Sequence, residues 1–149
     1  MTKKTIWILV ADGARARLLV HDPSEKAYQP ALDREFIGTN LASRDIASDR
    51  GGRALGGDRS ASHGVQPKSD PHRHEEEMFA REIAIALEKA RKDDAFDQLI
   101  VVAPPRILGV LRSVFTKPLQ ERIKAELNKD LTSVSIHDLP KHLSDLIRY

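Results

Sequence analysis

Between Thr39 and His74 the chain carries no hydrophobic period. At the centre of that stretch sits Gly51-Gly52-Arg53-Ala54-Leu55-Gly56-Gly57-Asp58-Arg59-Ser60, two glycine pairs each followed by a charged residue. Connections within domains usually run roughly 4–6 residues, and much longer ones are functional or disordered. Glycine permits φ > 0 and close approach of backbone to a ligand. Arginine offers a planar donor fork suited to phosphate oxygens. The combination reads as a mobile basic finger in which Arg50, Gly51, Gly52, Arg53, Gly56, Gly57 and Arg59 would bind nucleic acid, flanked by Arg44, Lys68 and Arg73. The alternative is a solvated flexible loop, because Asp45, Asp49, Asp58 and Asp70 offset most of that charge. Neither the phosphate-loop pattern Gly-x-x-x-x-Gly-Lys-Ser/Thr nor the dinucleotide fingerprint Gly-x-Gly-x-x-Gly occurs.

Three other groups of residues could do chemistry. Asp12, Arg15 and Arg17 follow the first apolar run, and Asp12 is either a general base or the first residue of an Asp-Gly turn bonding its own backbone. Arg106 and Arg112 flank the helix expected after a buried strand, where ligands of α/β sheets commonly sit. Asp12, Arg15, Arg106 and Arg112 therefore form a candidate ligand pocket, although Pro104 and Pro105 remove two N–H groups that would bind an anion. Asp70-Pro71-His72-Arg73-His74-Glu75, with His63 near it, has imidazole and carboxylate ligands, but no His-Glu-x-x-His spacing. No metal or cofactor is expected, and no catalytic residue can be assigned. His137 and His142, five apart, suit no single helical face and read as surface or helix-end residues.

These groups need a scaffold. Thr5–Ala11 reads as a central strand, Asp12-Gly13 as a tight turn, and Arg15–His21 as the hairpin partner. Ala16, Leu18 and Val20 would share one face of that partner, and Arg15, Arg17 and Leu19 the other. Trp7 belongs to the core. A third, edge strand is expected at Ala31–Ile37. A helix from about Pro71 or His74 to Lys92 follows, with Phe79, Ile83, Leu87 and Ala90 as its inward stripe. Its first turn would hold Glu75, Glu76 and Glu77 and its last Lys89, Arg91 and Lys92, complementing the helix dipole.

Leu99–Ala103 is an unbroken apolar run, as in a strand covered on both faces. Pro104-Pro105 ends it and opens a helix whose stripe is Ile107, Leu108, Leu111, Val114 and Phe115, with Gly109 placed for close backbone packing. A short helix runs from Thr116 to about Ile123, and Glu121–Asn128 is either its continuation or a strand. The last helix is expected over Ser135–Arg148, with Leu139, Leu143, Leu146 and Ile147 inward and Pro140 in its first turn. The order β-β-β-loop-α-β-α-α-(β)-α predicts a single three-layer α/β domain over residues 1–149, with a mixed central sheet and a flexible loop at 39–74.

Composition narrows the function classes. The 149 residues carry 24 Lys plus Arg and 22 Asp plus Glu, so the formal charge is only +2 and does not by itself mark a nucleic-acid binder. There is no cysteine, which excludes disulfides, thiolate catalysis and zinc–thiolate sites. Lys3 and Lys4 before Thr5–Ala11 imitate an export signal, but Asp12 cuts the apolar run short. No stretch reaches the ~18–20 apolar residues that span a bilayer. A cytoplasmic protein without a membrane partner is expected.

Three blocks carry a resemblance over nearly the whole chain. They are Ile8-Leu9-Val10-Ala11-Asp12-Gly13-Ala14-Arg15-Ala16-Arg17-Leu18, then Val102-Ala103-Pro104-Pro105-Arg106-Ile107-Leu108-Gly109-Val110-Leu111-Arg112, then Lys129-Asp130-Leu131-Thr132 with Asp138-Leu139-Pro140-Lys141-His142-Leu143. They resemble the bacterial host attachment family, whose name implies a role in attachment to host cells. That family is in turn similar to the middle domain of archaeal and eukaryotic peptide-release factors. The second resemblance implies a strand hairpin, a loop bearing Gly-Gly-Gln, a long helix, then a strand and a helix. In release factors the glutamine positions the water that hydrolyses peptidyl-tRNA. In this chain the residue after each glycine pair is Arg53 or Asp58, and Gln66 has no preceding glycines. The resemblance therefore implies a non-catalytic module associated with the ribosome, tRNA or translation. The alternatives are a hydrolase of peptidyl-tRNA-like esters and a regulatory protein affecting attachment.

Overall fold

The structure is a computed structural model and describes residues 4–22, 27–32, 35–38, 71–144 and 146. The strands are β1 (Ile6–Ala11), β2 (Arg15–Asp22), β3 (Ala27–Pro30), β4 (Phe36–Ile37), β5 (Gln98–Val102) and β6 (Ile123–Leu127). The helices are α1 (Pro71–Lys92), α2 (Pro105–Val114), α3 (Lys117–Gln120) and α4 (Leu139–Leu143). Among the described residues the sheet runs β3-β2-β1-β5-β6, with β4 also on β2. The β1–β2 pair is antiparallel, whereas β1–β5 and β5–β6 are parallel. Parallel neighbours need a crossover, and α1 and then α2–α3 supply it.

Every residue of β1 is buried, and period-2 alternation sends its side chains into two cores. Trp7, Leu9 and Ala11 join Phe79, Ile83 and Leu87 of α1 and Ile107, Leu108 and Leu111 of α2. Ile6, Ile8 and Val10 join Leu19, Ile100, Val102 and the C-terminal residues Leu131, Leu139 and Leu143. The sheet is thus the middle of three layers. Trp7 is a core residue, its ring 5.1 Å from that of Phe96. On β2, Ala16 and Leu18 face the helices, and Leu19 faces the opposite core.

Helix α1 begins at Pro71, so the expected loop ends before residue 71 and Glu75–Glu77 occupy the second turn, not the first. Its C-terminus closes on Asp94, at φ 57°. Asp94 N donates to Arg91 O at 3.0 Å and Ala95 N to Ala90 O at 2.9 Å, the pairing of a Schellman cap. Asp stands there in place of the usual glycine. Glu88 ties this end of α1 to α3. It accepts from Arg91 Nη2 at 2.7 Å and from Thr116 Oγ1 at 3.0 Å, and Thr116 in turn caps Leu119 N at 3.2 Å.

Four elements differ from expectation. The third strand forms as β3, just before the predicted Ala31–Ile37, and as β4, which is the last two residues of that range. β3 ends at Pro30, Ala31 N still reaches Leu18 O of β2 at 2.8 Å, and Phe36 is fully buried in the core. Ile123 is not helical but pairs with Leu99 in β6, which resolves Glu121–Asn128 as a strand. The last helix starts at Leu139, not Ser135. Pro140 would clash with the carbonyl four residues back and therefore sits in the first turn, while Asp138 N and Leu139 N both close on Ser135 O at 3.0 Å. Gly109 packs against nothing, for a Cβ there meets no atom within 4 Å.

Gly109→Ala should therefore stabilise the domain by about 0.5–1 kcal/mol in chemical denaturation, the usual difference between these residues inside a helix. Glu88 gives a pH prediction. The hydrogen bond from Arg91, helped by that from Thr116, lowers its pKa from 4.5 to about 2. The folded state thus binds this proton less tightly than the unfolded chain. The Glu88 contribution is complete above pH 4.5 and is lost as pH falls toward 2. Carboxyl-carbon NMR titration should show the low midpoint, and Thr116→Val should raise it.

Candidate functional site

The structural corner of interest lies where β1 ends. Here the ladder stops and the Asp12 side chain takes over. Its Oδ1 accepts from Ala14 N and Arg15 N, both at 2.7 Å, while Asp12 N donates to Arg15 O at 2.9 Å. This is the Asx turn that an Asp-Gly sequence favours. The other oxygen, Oδ2, accepts from Thr132 Oγ1 at 3.0 Å. Thr132 Oγ1 also lies 2.6 Å from Asp130 Oδ1. A hydroxyl has one proton to give, so these two carboxylates share a single donor. Asp12 is engaged on both oxygens, which suits a fastener and leaves little for a general base.

A contact from outside the turn fills the space beside Gly13. A Cβ there would stand 2.9 Å from Glu76 Oε2 and 3.5 Å from Ile107 Cδ1. Glu76 of α1 therefore closes onto the hairpin, and it also pairs with Arg106 Nη2 at 3.0 Å. The Glu76 side chain is 15% exposed and that of Arg106 is 55% exposed. Three elements meet at this point: the β1–β2 turn, the second turn of α1 and the first turn of α2. Gly38 N donates to Ala14 O at 2.7 Å, so the chain after β4 departs from the same turn.

The four residues of the candidate ligand pocket are not gathered. Asp12 and the exposed Arg15 share the hairpin turn, and Arg106 adjoins it through Glu76. Arg112 is six residues along α2 from Arg106, about 9 Å at the helical rise. It is held instead at the sheet edge, where it makes two hydrogen bonds to the Glu126 carboxylate, with Nε–Oε2 at 3.1 Å. That pairing raises the Arg112 pKa above its ordinary value. Arg17 is likewise structural. Its Nη2 donates to the carbonyls of Leu131 at 3.2 Å, Thr132 at 3.3 Å and Val134 at 2.5 Å, clamping the C-terminal segment to the sheet.

The nucleic-acid residues Arg50, Gly51, Gly52, Arg53, Gly56, Gly57 and Arg59 lie outside the described residues, as do Arg44, His63, Gln66, Lys68 and Asp70. His74 is exposed beside a groove, and His137 and His142 are exposed. Among the described residues no cluster of three or more His, Asp or Glu could hold a metal ion, and no helix is long and apolar enough to cross a membrane.

Sequence reading missed Glu76 and Thr132. Glu76 was hidden in Glu75-Glu76-Glu77, read as first-turn acids that complement the helix dipole. The available signal was its spacing, since Glu76, Ala80, Ile83 and Leu87 fall on one helical face. Thr132 carried no local signal, because its partner lies 120 positions away.

If Asp12 is a fastener, Asp12→Ala should cost about 1–3 kcal/mol in denaturant unfolding, because it strips an acceptor from two backbone donors. Asp12→Asn keeps an oxygen for both N–H groups, and its amide can donate to Thr132 Oγ1. It should cost less than half as much.

Comparison with known proteins agrees with the blocks that meet at this corner. No curated protein gives a significant match. A family model does match, over residues 7–143, covering the β1–β2 turn, α1, the Pro104-Pro105-Arg106 start of α2 and the Thr132 segment, and the chain belongs to that family, described as proteins required for attachment to host cells.

Proposed function

We propose that the protein is a non-catalytic RNA-binding module, associated with the ribosome or tRNA, that engages its partner through residues 39–70. The observation that carries this reading is where that segment joins the fold. It leaves at Gly38, bonded to Ala14 O at 2.7 Å, and α1 carries the chain back past Gly13 through Glu76. The segment that carries Arg44, Arg50, Arg53 and Arg59 thus starts next to a corner that exposes the guanidinium groups of Arg15 and Arg106. Arginines on a glycine-containing segment suit phosphate contact, which positions a nucleic acid without reading its sequence. The order of hairpin, insertion, long helix, parallel strand and helix also supports the likeness to the release-factor middle domain. Arg53 and Asp58 in place of glutamine, together with an Asp12 engaged on both oxygens, favour recognition over ester hydrolysis. On this reading the family's link to host attachment is regulatory and runs through translation.

Ribosome co-sedimentation tests the proposal. Wild type should pellet with ribosomes, and Arg50/Arg53/Arg59→Ala should bind at least about tenfold more weakly, with a shallower salt dependence by roughly 0.7 per lost phosphate contact on single-stranded RNA. Equal and negligible binding by both proteins would reject it.

A further inference from the structure

Ile85 is 71% exposed on the C-terminal half of α1. It sits in a groove of about 500 Å³ between α1 and the junction of α2 with α3. Ala84, Ile85 and Val114 give the groove its apolar lining, and Arg81, Lys89 and Lys92 its exposed cations. Glu88 is the carboxylate in the lining, and it is already spent. It accepts from Arg91 at 3.0 and 2.7 Å and from Thr116 Oγ1 at 3.0 Å, the last bond joining the two walls. Glu82 lines the neighbouring groove and not this one. Among the described residues Arg81, Lys89 and Lys92 form no ion pair. Ile85 stands four residues from Arg81 and four from Lys89, so the three share one helical face. The two cations are then about 12 Å apart along the helix, with the apolar side chain midway.

We infer that this groove docks an acidic amphipathic helix of another protein, with one large apolar residue midway between two carboxylates eight positions apart, as in Glu-x-x-x-Leu-x-x-x-Glu. Charge complementarity and helical pitch carry the argument. A helix laid along α1 has the same rise per residue, so its two carboxylates reach Arg81 and Lys89 while its apolar residue meets Ile85 and Val114. Lys92, about one turn beyond Lys89, holds the same sign at that end. Charge also selects against occupants from this chain. Residues 39–70 carry five Lys or Arg against four Asp, and a second copy would bring the same three cations to the contact. No aromatic side chain lines the groove, so a nucleic acid would find phosphate contacts there but no platform for its bases. The surface is built from residues 81–116 alone, so it stands or falls independently of the role proposed for residues 39–70.

Fluorescence anisotropy with the full chain tests this, using a labelled synthetic helix that carries Glu-x-x-x-Leu-x-x-x-Glu on an Ala/Gln background. Wild type should bind it with a Kd below about 100 µM, as expected of a small interface. Changing both peptide glutamates to glutamine should weaken binding at least about tenfold. Arg81→Glu/Lys89→Glu should weaken it as much, and should accept the reversed peptide Lys-x-x-x-Leu-x-x-x-Lys instead. Ile85→Gln should cost about tenfold with an unchanged circular dichroism spectrum, since the side chain is exposed. Absence of binding by wild type up to about 1 mM overturns the proposal. Binding indifferent to the reversal of Arg81 and Lys89 overturns it equally, by placing the contact elsewhere. A labelled single-stranded RNA is measured in parallel. If Arg81→Glu/Lys89→Glu releases the RNA while the peptide does not bind wild type, the groove serves nucleic acid and the proposal fails.

Discussion

Strand β1 has no face for solvent. All six of its residues, Ile6–Ala11, are buried, and the strand is flanked on one side by antiparallel β2 and on the other by parallel β5. Burying a large apolar side chain is worth roughly 1.5–3 kcal/mol, so both faces of this strand must be covered. Helices α1 to α3 cover Trp7, Leu9 and Ala11, and the C-terminal segment covers Ile6, Ile8 and Val10. The layered architecture follows from that single hydrophobic run, and so does the demand that chain far away in sequence return to it.

The ends of the strands are where polar groups must replace the ladder. Asp12 does so at the C-terminal end of β1, and Asp97 at the other, where its Oδ2 accepts from Thr5 N at 2.7 Å. Arg17 and Arg112 fasten the outer layers to the sheet, through backbone carbonyls and through Glu126 respectively. Among the described residues, Asp12, Arg17 and Arg112, which look chemically active in the sequence, are committed to holding the fold together. Arg15 and Arg106 keep substantial exposure at the corner, and Arg15 pairs with Ile37, next to Gly38 where residues 39–70 depart.

Much of this was legible because it is local. The β1–β2 hairpin follows from an apolar run, Asp-Gly and alternation, and α1 from the spacing of Phe79, Ile83, Leu87 and Ala90. Other features were decided by partners distant in sequence. The β6 strand has no strong pattern of its own and takes its conformation from pairing with β5, across a register shift near Ile100. The C-terminus of α1 at Lys92 was marked by its basic last turn, but the cap was not, because Asp94 rather than glycine adopts the left-handed conformation. At the candidate corner, Asp12 and Gly13 were readable as a turn. The contacts of that turn with Glu76 and Thr132 were not, because they exist only once three layers have closed.

The hydrogen bond from Gly38 N to Ala14 O holds the start of the inserted segment at the β1–β2 turn, and Glu76, in the second turn of α1, approaches Gly13 of the same turn. The entropy of closing a loop grows only logarithmically with its length, so doubling the number of residues costs about 0.6 kcal/mol. On this ground a change in the length of the segment costs the domain beneath it little.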